Sequence, residues 1–324
     1  MNAAAFALLA LLVTAYALLD GYDLGIGILH LFIARSDDER SASLATIAPF
    51  WNGNEVTLIA AGGAMFALFP RAYASAFSGF YLPFMLVLWL LMGRGMALEL
   101  RGYFPSDLWH GFWDAVFASC STVLAFLLGV ALGNVLRGVP LDADGYFSGT
   151  FTSLFNWYAV LVGLFTLAVL ALYGALFAAW RSRVLAQRAE RSANALWVAV
   201  LTLYAVTTFA TLRAHAPSMV GALWIAPAAA LCSLLAVRAL RSRTLRFTAG
   251  GVLLLALMAT AALTLYPYLL PSYPIGSGGL DVSNSATNPH GLFVGTIVLA
   301  VGLAVVAVYG TISARNLLRD VSDT

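Results

Sequence analysis

The stretch "PFWNGNEVTLIAAGGAMFALF" (residues 49–69) decides how this chain is read. From Val56 onward it is apolar almost without interruption, yet its opening carries Asn52, Asn54 and Glu55 into that run. It reads as a membrane span with amides and a carboxylate at its mouth. The rest of the chain agrees: of 324 residues, 61% are hydrophobic and only 10% charged. That is too apolar for a soluble domain of this size and fits an all-α polytopic membrane protein. Such a composition argues against nucleic-acid binding.

Taking roughly 20 residues to cross about 30 Å of hydrocarbon, nine transmembrane helices are expected near 3–33, 50–69, 73–100, 107–136, 153–181, 192–213, 219–240, 246–270 and 290–315. They form one integral membrane domain over 1–324, with a first four-helix group over about 3–136. The second group and a peripheral helix take about 153–315. The opening "MNAAAFALLALLVTAYALL" has no basic leader and reads as a retained first span. All 17 basic residues are Arg. Thirteen of them fall in the tail and in the loops after odd-numbered helices, against three (Arg71, Arg137 and Arg213) on the other side. The positive-inside bias therefore predicts an external N-terminus and a cytoplasmic C-terminus. Gly21/Gly25, Gly129/Gly133 and the run "AAGG" (60–63) are read as close helix contacts. Cys120 and Cys232 are read as buried packing residues, and the outer stretches 137–150 and 271–290 as irregular loops.

Charges inside a span are costly, about 2.5–3.5 kcal/mol at the centre, so they mark function by default. Asp20 and Asp23 are three apart and share a helix face, as do Asn52 and Glu55; Arg94 and Glu99 lie on the third helix and Asp114 on the fourth. At about 1.5 Å per residue, Asp23 is roughly 15 Å from the inner end of its helix, and Glu55 and Asp114 roughly 8 to 11 Å. The carboxylates are thus expected in one group in the inner half of the first four helices. They serve either as a proton or ion path or as structural partners of Arg94. Spacing leaves both open. His30 and His110 near the inner surface, and His215 and His290 near the outer, sit at helix ends or in loops and read as solvated rather than as haem ligands. No metal, catalytic or cofactor motif is recognisable in the chain, so no catalytic or metal-binding residue is assigned.

Three blocks carry a family resemblance: "DGYDLGIGILHLFIARSDDERSASLATIAPFWNGNEVTLIAAGGAMFALFPRAYASAFSGFYLPF" (20–84), "GNVLRGVPLDADGYFSGTF" (133–151) and "LYPYLLPS" (265–272). Together they resemble subunit II of the cytochrome bd-type quinol oxidases. The resemblance implies a bacterial or archaeal cytoplasmic-membrane complex that oxidises quinol and reduces O2 to water, drawing protons from the cytoplasm. Two b-type haems and one haem d belong to the partner, the haem-bearing subunit I. This chain is then a non-haem accessory subunit with room for a structural quinone or lipid. Small single-helix subunits and membrane lipid are further candidate partners.

By motif, Asp23 and position 52, with Glu55 beside them, are the residues implied in a proton route; Asp20, Glu99 and Asp114 are further candidates. The family usually has Asp at position 52, where this chain has Asn52, which cannot titrate. Glu55 is therefore expected to take over that role. Trp157 after Asn156, and a last helix poor in aromatic residues near its end, are further departures. Rival readings are a bd-like complex with another acceptor or without proton uptake here, and an ion-coupled transporter.

Overall fold

The computed structural model describes residues 1–215, 224–274 and 278–322. Twelve helices and two short strands follow in order among them: α1 (Asn2–Leu19), α2 (Gly21–Ile33), α3 (Asp37–Ala45), α4 (Trp51–Leu68), α5 (Pro70–Gly79), α6 (Tyr81–Leu100), α7 (Asp107–Arg137), α8 (Trp157–Arg181), α9 (Ala186–His215), α10 (Ile225–Ala239), α11 (Arg243–Leu265), β1 (Tyr268–Pro271), β2 (Gly279–Asp281) and α12 (Pro289–Ser322). Seven segments are long and apolar enough to span a bilayer: Asn2–Ile33, Tyr81–Tyr103, Asp107–Arg137, Trp157–Arg181, Ala186–Arg213, Arg243–Leu265 and Pro289–Ile312. The expected helices at 50–69 and 219–240 correspond to α4 and α10. In α4, Asn52, Asn54 and Glu55 dilute the apolar run, and α10 has only 15 residues. Residues 219–223 lie outside the described residues.

The first span is nearly continuous across Asp20, because Asp20 N donates to Tyr16 O at 2.9 Å and Leu24 N to Asp20 O at 2.9 Å. α5 and α6 likewise form one bent rod. Pro83, in the first turn of α6, has no amide with which to reach back to the preceding turn, and the break falls at Phe80. The sequence reading missed α3. Its Ser36 hydroxyl accepts from Glu39 N, and the Glu39 carboxylate accepts from Ser36 N, a reciprocal cap recognisable as S-x-x-E.

α8 is the most deeply buried span and packs against α2, α7, α9 and α11. Contact with α2 is backbone to backbone: a Cβ at Gly25 would collide with Leu170 O and Gly174, and one at Gly174 with Gly25. Gly129 and Gly133 similarly admit Gly163 and Ala159 of α8. The "AAGG" run departs from expectation, since a Cβ at Gly63 would meet nothing within 4 Å. Cys232 also departs, lying exposed on α10, while Cys120 is half-buried against Gly93. At the end of the molecule away from α3, β1 and β2 pair antiparallel where irregular loops were expected. The segment after α7 is stitched to them through Val139 N to Pro271 O at 3.0 Å and Tyr273 N to Val139 O at 2.9 Å.

Gly25→Ala is expected to destabilise the protein by about 1–3 kcal/mol, the usual cost of overpacking. Gly63→Ala is expected to leave stability unchanged. Heat or detergent unfolding of the two variants side by side checks this.

Candidate functional site

Polar Tyr16, Asp20, Asp23 and His30 fall on one face of α1–α2, with Gly27 on that face between the last two. Arg94 of α6 meets this stripe with its side chain fully buried. Its Nη1 donates to Asp20 Oδ2 at 3.0 Å and its Nη2 to Asp20 Oδ1 at 2.7 Å, a two-pronged pair. Nη2 also lies 3.9 Å from Asp23 Oδ2, and Nη1 lies 3.3 Å from Glu55 Oε1 of α4. One guanidinium thus faces three carboxylates. Asp23 Oδ2 accepts from Asn54 Nδ2 at 2.8 Å, and Asp23 Oδ1, also buried, has no hydrogen-bond partner.

Asn54, noted in the sequence beside Asn52 and Glu55 but not expected at the site, is central to it. Its Nδ2 also reaches Leu19 O at 2.8 Å and Tyr22 Oη at 3.1 Å. Tyr309 of α12 donates to Phe50 O at 3.2 Å beside it. A Cβ at Gly53 would strike the Tyr309 ring, so glycine at that position lets the last helix close over this site.

Asp114 does not join Arg94. It belongs to a second group at the other end of α2, and the expectation of a single carboxylate group is corrected accordingly. Asp114 Oδ1 accepts from Arg101 Nε at 2.6 Å and lies 2.9 Å from His30 Nε2; Oδ2 accepts from Arg40 Nη1 at 3.4 Å. Arg101 extends the network to Asp37 Oδ1 at 2.5 Å and Ser41 Oγ at 2.9 Å, and His110 Nδ1 lies 3.1 Å from the same Asp37 oxygen. His30, expected to be solvated, is fully buried, with Nδ1 3.3 Å from Ser43 Oγ. A helix-end position hid this, because α3 folds back over it.

Two turns of α2 separate His30 from Asp23. Gly27 lies between them, and a Cβ there would collide with the Ser121 side chain of α7. Ser121 is fully buried and its hydroxyl has no hydrogen-bond partner. Phe117, one turn before it, stands edge-on to the His30 ring with centroids 5.4 Å apart. Apolar packing with one buried hydroxyl in it therefore lies between the two charged groups.

Two expected residues stand apart. Asn52 is exposed on α4, about half a turn from Asn54 and on the opposite face, and Glu99 is exposed on α6. Their helices approach nearby, since a Cβ at Gly95 would touch the ring of Trp51. Among the other histidines, His290 is exposed, and the His215 side chain lies outside the described residues.

The rim network is tied down through α3. Glu39 accepts from Arg35 N at 2.7 Å and Ser36 N at 3.2 Å, and pairs with the Arg188 guanidinium of α9. Arg188 and those amides hold its carboxyl at about 2, against an ordinary 4.5. A depressed carboxyl contributes stability above its unfolded value, and that contribution is lost as pH falls through the folded one. The melting-temperature difference between wild type and Glu39→Gln is therefore expected to be constant above about pH 4.5 and to shrink towards pH 2. A pH series of both proteins at fixed ionic strength measures it.

A family model described as cytochrome bd terminal oxidase subunit II matches residues 1–316. The chain is 34% identical over 301 residues to "Cytochrome bd ubiquinol oxidase subunit 2" of Bacillus subtilis (strain 168), covering 90% of this chain and 88% of that one. It is 38% identical over 179 residues to "Cytochrome bd-I ubiquinol oxidase subunit 2" of Escherichia coli (strain K12), covering 54% of this chain and 47% of that one. Among solved structures, a chain of the bd oxidase from Geobacillus thermodenitrificans superposes with a TM-score of 0.79 at 17% identity, covering 98% of each chain. That last likeness concerns the fold.

Proposed function

Starting from the fact that this chain belongs to the cytochrome bd terminal oxidase subunit II family, we propose that it is the non-haem accessory subunit of a complex that oxidises quinol and reduces O2 to water. It is an integral protein of the bacterial inner membrane and a subunit of an oxidoreductase complex. In our reading α4 and α10 complete nine crossings, with two four-helix groups and peripheral α12 in one domain, the N-terminus outside and the arginine-rich ends in the cytoplasm. The two b-type haems and haem d are assigned to the partner, subunit I. Neither His30 nor His110 fits a haem: both ring nitrogens of His30 are engaged, and His110 is turned to Asp37.

The face that meets subunit I is read from Asn52 and Glu99. Both are polar, exposed and set among exposed Val56, Ile59 and Met96. A carboxylate facing lipid is costly, and a protein partner can satisfy it. The apolar cavity of about 270 Å³ lined by Val13, Leu58, Phe165, Leu170 and Leu254 is suited to a structural quinone tail or lipid chain.

The observation that carries the proton role is the stripe on α1–α2. Protons are taken up at the rim, where His30 and Asp114 sit among exchangeable partners. They pass Ser121 at Gly27 and collect on Asp23 and Glu55. Arg94, clamped on Asp20, holds the charge of that collecting site while its two other carboxylates are free to gain and lose protons. Asn54 fixes one oxygen of Asp23 and leaves the other open.

In the assembled complex, Asp23→Asn and Glu55→Gln are expected to slow oxygen consumption by on the order of tenfold or more, the scale of a lost proton-transfer group. Ser121→Ala is expected to slow proton uptake with haem content unchanged. Asn52→Ala is expected to have the smaller effect. Oxygen consumption and pH-dye uptake in proteoliposomes read all four; equal rates for Glu55→Gln and Asn52→Ala overturn the assignment.

A further inference from the structure

Beyond the charged groups already described, the arginine-rich end of the molecule carries an open concavity of about 440 Å³ between the α2–α3 turn and the start of α9. Its walls are Arg35, Ser36, Glu39, Gln187, Arg188 and Arg191. We propose that it binds a phosphate-bearing anion, and that this anion is the headgroup of an acidic phospholipid.

Charge supports the anion. Glu39 is the one acid in the wall, and it is consumed by Arg188 and by the Arg35 and Ser36 amides. Arg35 and Arg191 are both exposed, and among the described residues neither guanidinium has a protein partner. The pocket therefore presents two uncompensated guanidinium groups, each able to grip phosphate oxygens in a two-pronged manner. Ser36 accepts from Glu39 N with its oxygen, so its hydroxyl proton remains available to donate, and Gln187 adds an amide. Gln187 and Arg191 are four residues apart and share a face at the N-terminal turn of α9, a helix of 30 residues. The unpaired amides and the positive dipole end there add to the attraction.

The surroundings favour a lipid over a solute. Just before Arg35, Phe32 is 74% exposed and Leu31 41%, and just before Gln187, Val184 is 61% exposed. A free phosphate leaves these apolar side chains in contact with nothing suited to them, whereas acyl chains beneath a headgroup cover them. Basic pockets between helices at a membrane surface bind acidic headgroups by this combination. By contrast, Arg243 at the same end of the molecule is spent on Glu190 at 2.6 Å.

The test uses the intact complex in neutral detergent, wild type against Arg35→Gln/Arg191→Gln. Phosphatidylglycerol, phosphatidylcholine and inorganic phosphate are added separately, and melting temperature and lipid retention by native mass spectrometry are read. Phosphatidylglycerol is expected to raise the wild-type melting temperature while phosphatidylcholine does not. The double variant, unchanged in melting temperature without lipid, is expected to bind phosphatidylglycerol about 25-fold more weakly, at about fivefold per arginine. Phe32→Ala is expected to weaken phosphatidylglycerol binding and leave any phosphate response untouched. If inorganic phosphate stabilises wild type as well as phosphatidylglycerol does and the double variant loses both responses, the anion site stands and the lipid assignment falls. Identical phosphatidylglycerol binding by wild type and double variant overturns the site itself.

Discussion

The side chain of Arg94, buried completely among helices that should cross a bilayer, is the constraint on which this end of the molecule depends. Moving such a charge out of water costs several kcal/mol even after relaxation, and removing one partner of a buried pair costs about 3–5 kcal/mol. Everything around it answers that cost. Asp20 supplies both oxygens to the guanidinium; the first span stays helical through that residue, so no backbone group is orphaned. α4 begins with polar residues because Asn54 and Glu55 must reach the same point. Three carboxylates from two elements of the chain thus converge on one guanidinium.

The rim network solves a different problem with the same ingredients. Asp114 is gripped by Arg101 and flanked by buried His30 and by Arg40, and of these Arg40 is the most exposed to water. α3 makes this possible. Capped by Ser36 and tied to α9 through Glu39, it lies across the helix ends and brings Asp37, Ser41 and Ser43 over them. Between rim and interior, Gly27 packs on Ser121, which leaves a buried hydroxyl without a hydrogen-bond partner between the two groups.

Apolar run length made the spans legible in the sequence, and the charges within those runs marked Asp20, Asp23, Glu55 and Arg94 as one candidate group, though Asp114 was wrongly placed with them. What could not be read was rotation. Asn52 and Asn54 differ by about 200° around α4, and only the position of α2 and α12 decides which of them is inside. The same holds for Glu99, turned outward five residues after the inward-facing Arg94. His30 was misjudged because its burial comes from α3, a polar nine-residue helix whose capping signal was present at Ser36 and Glu39 but went unweighed. The short sheet joining β1 to β2 was hidden by the glycines and prolines around it, which signal turns more strongly than strands.

The pairing of Arg94 with Asp20 spans 74 residues of chain, and this has a consequence for how the protein is made. At about 5–20 residues per second, ribosomes take roughly 4 to 15 s to deliver Arg94 after Asp20. During that interval two carboxylates of the first span are in or near the bilayer without their counter-charge. Holding the first span at the translocation machinery until the third arrives would keep those carboxylates from facing lipid alone. Tyr309, which closes over Asn54, reaches the site only after the other eleven helices have been synthesised. The biosynthetic order thus builds the charged interior early and seals it last.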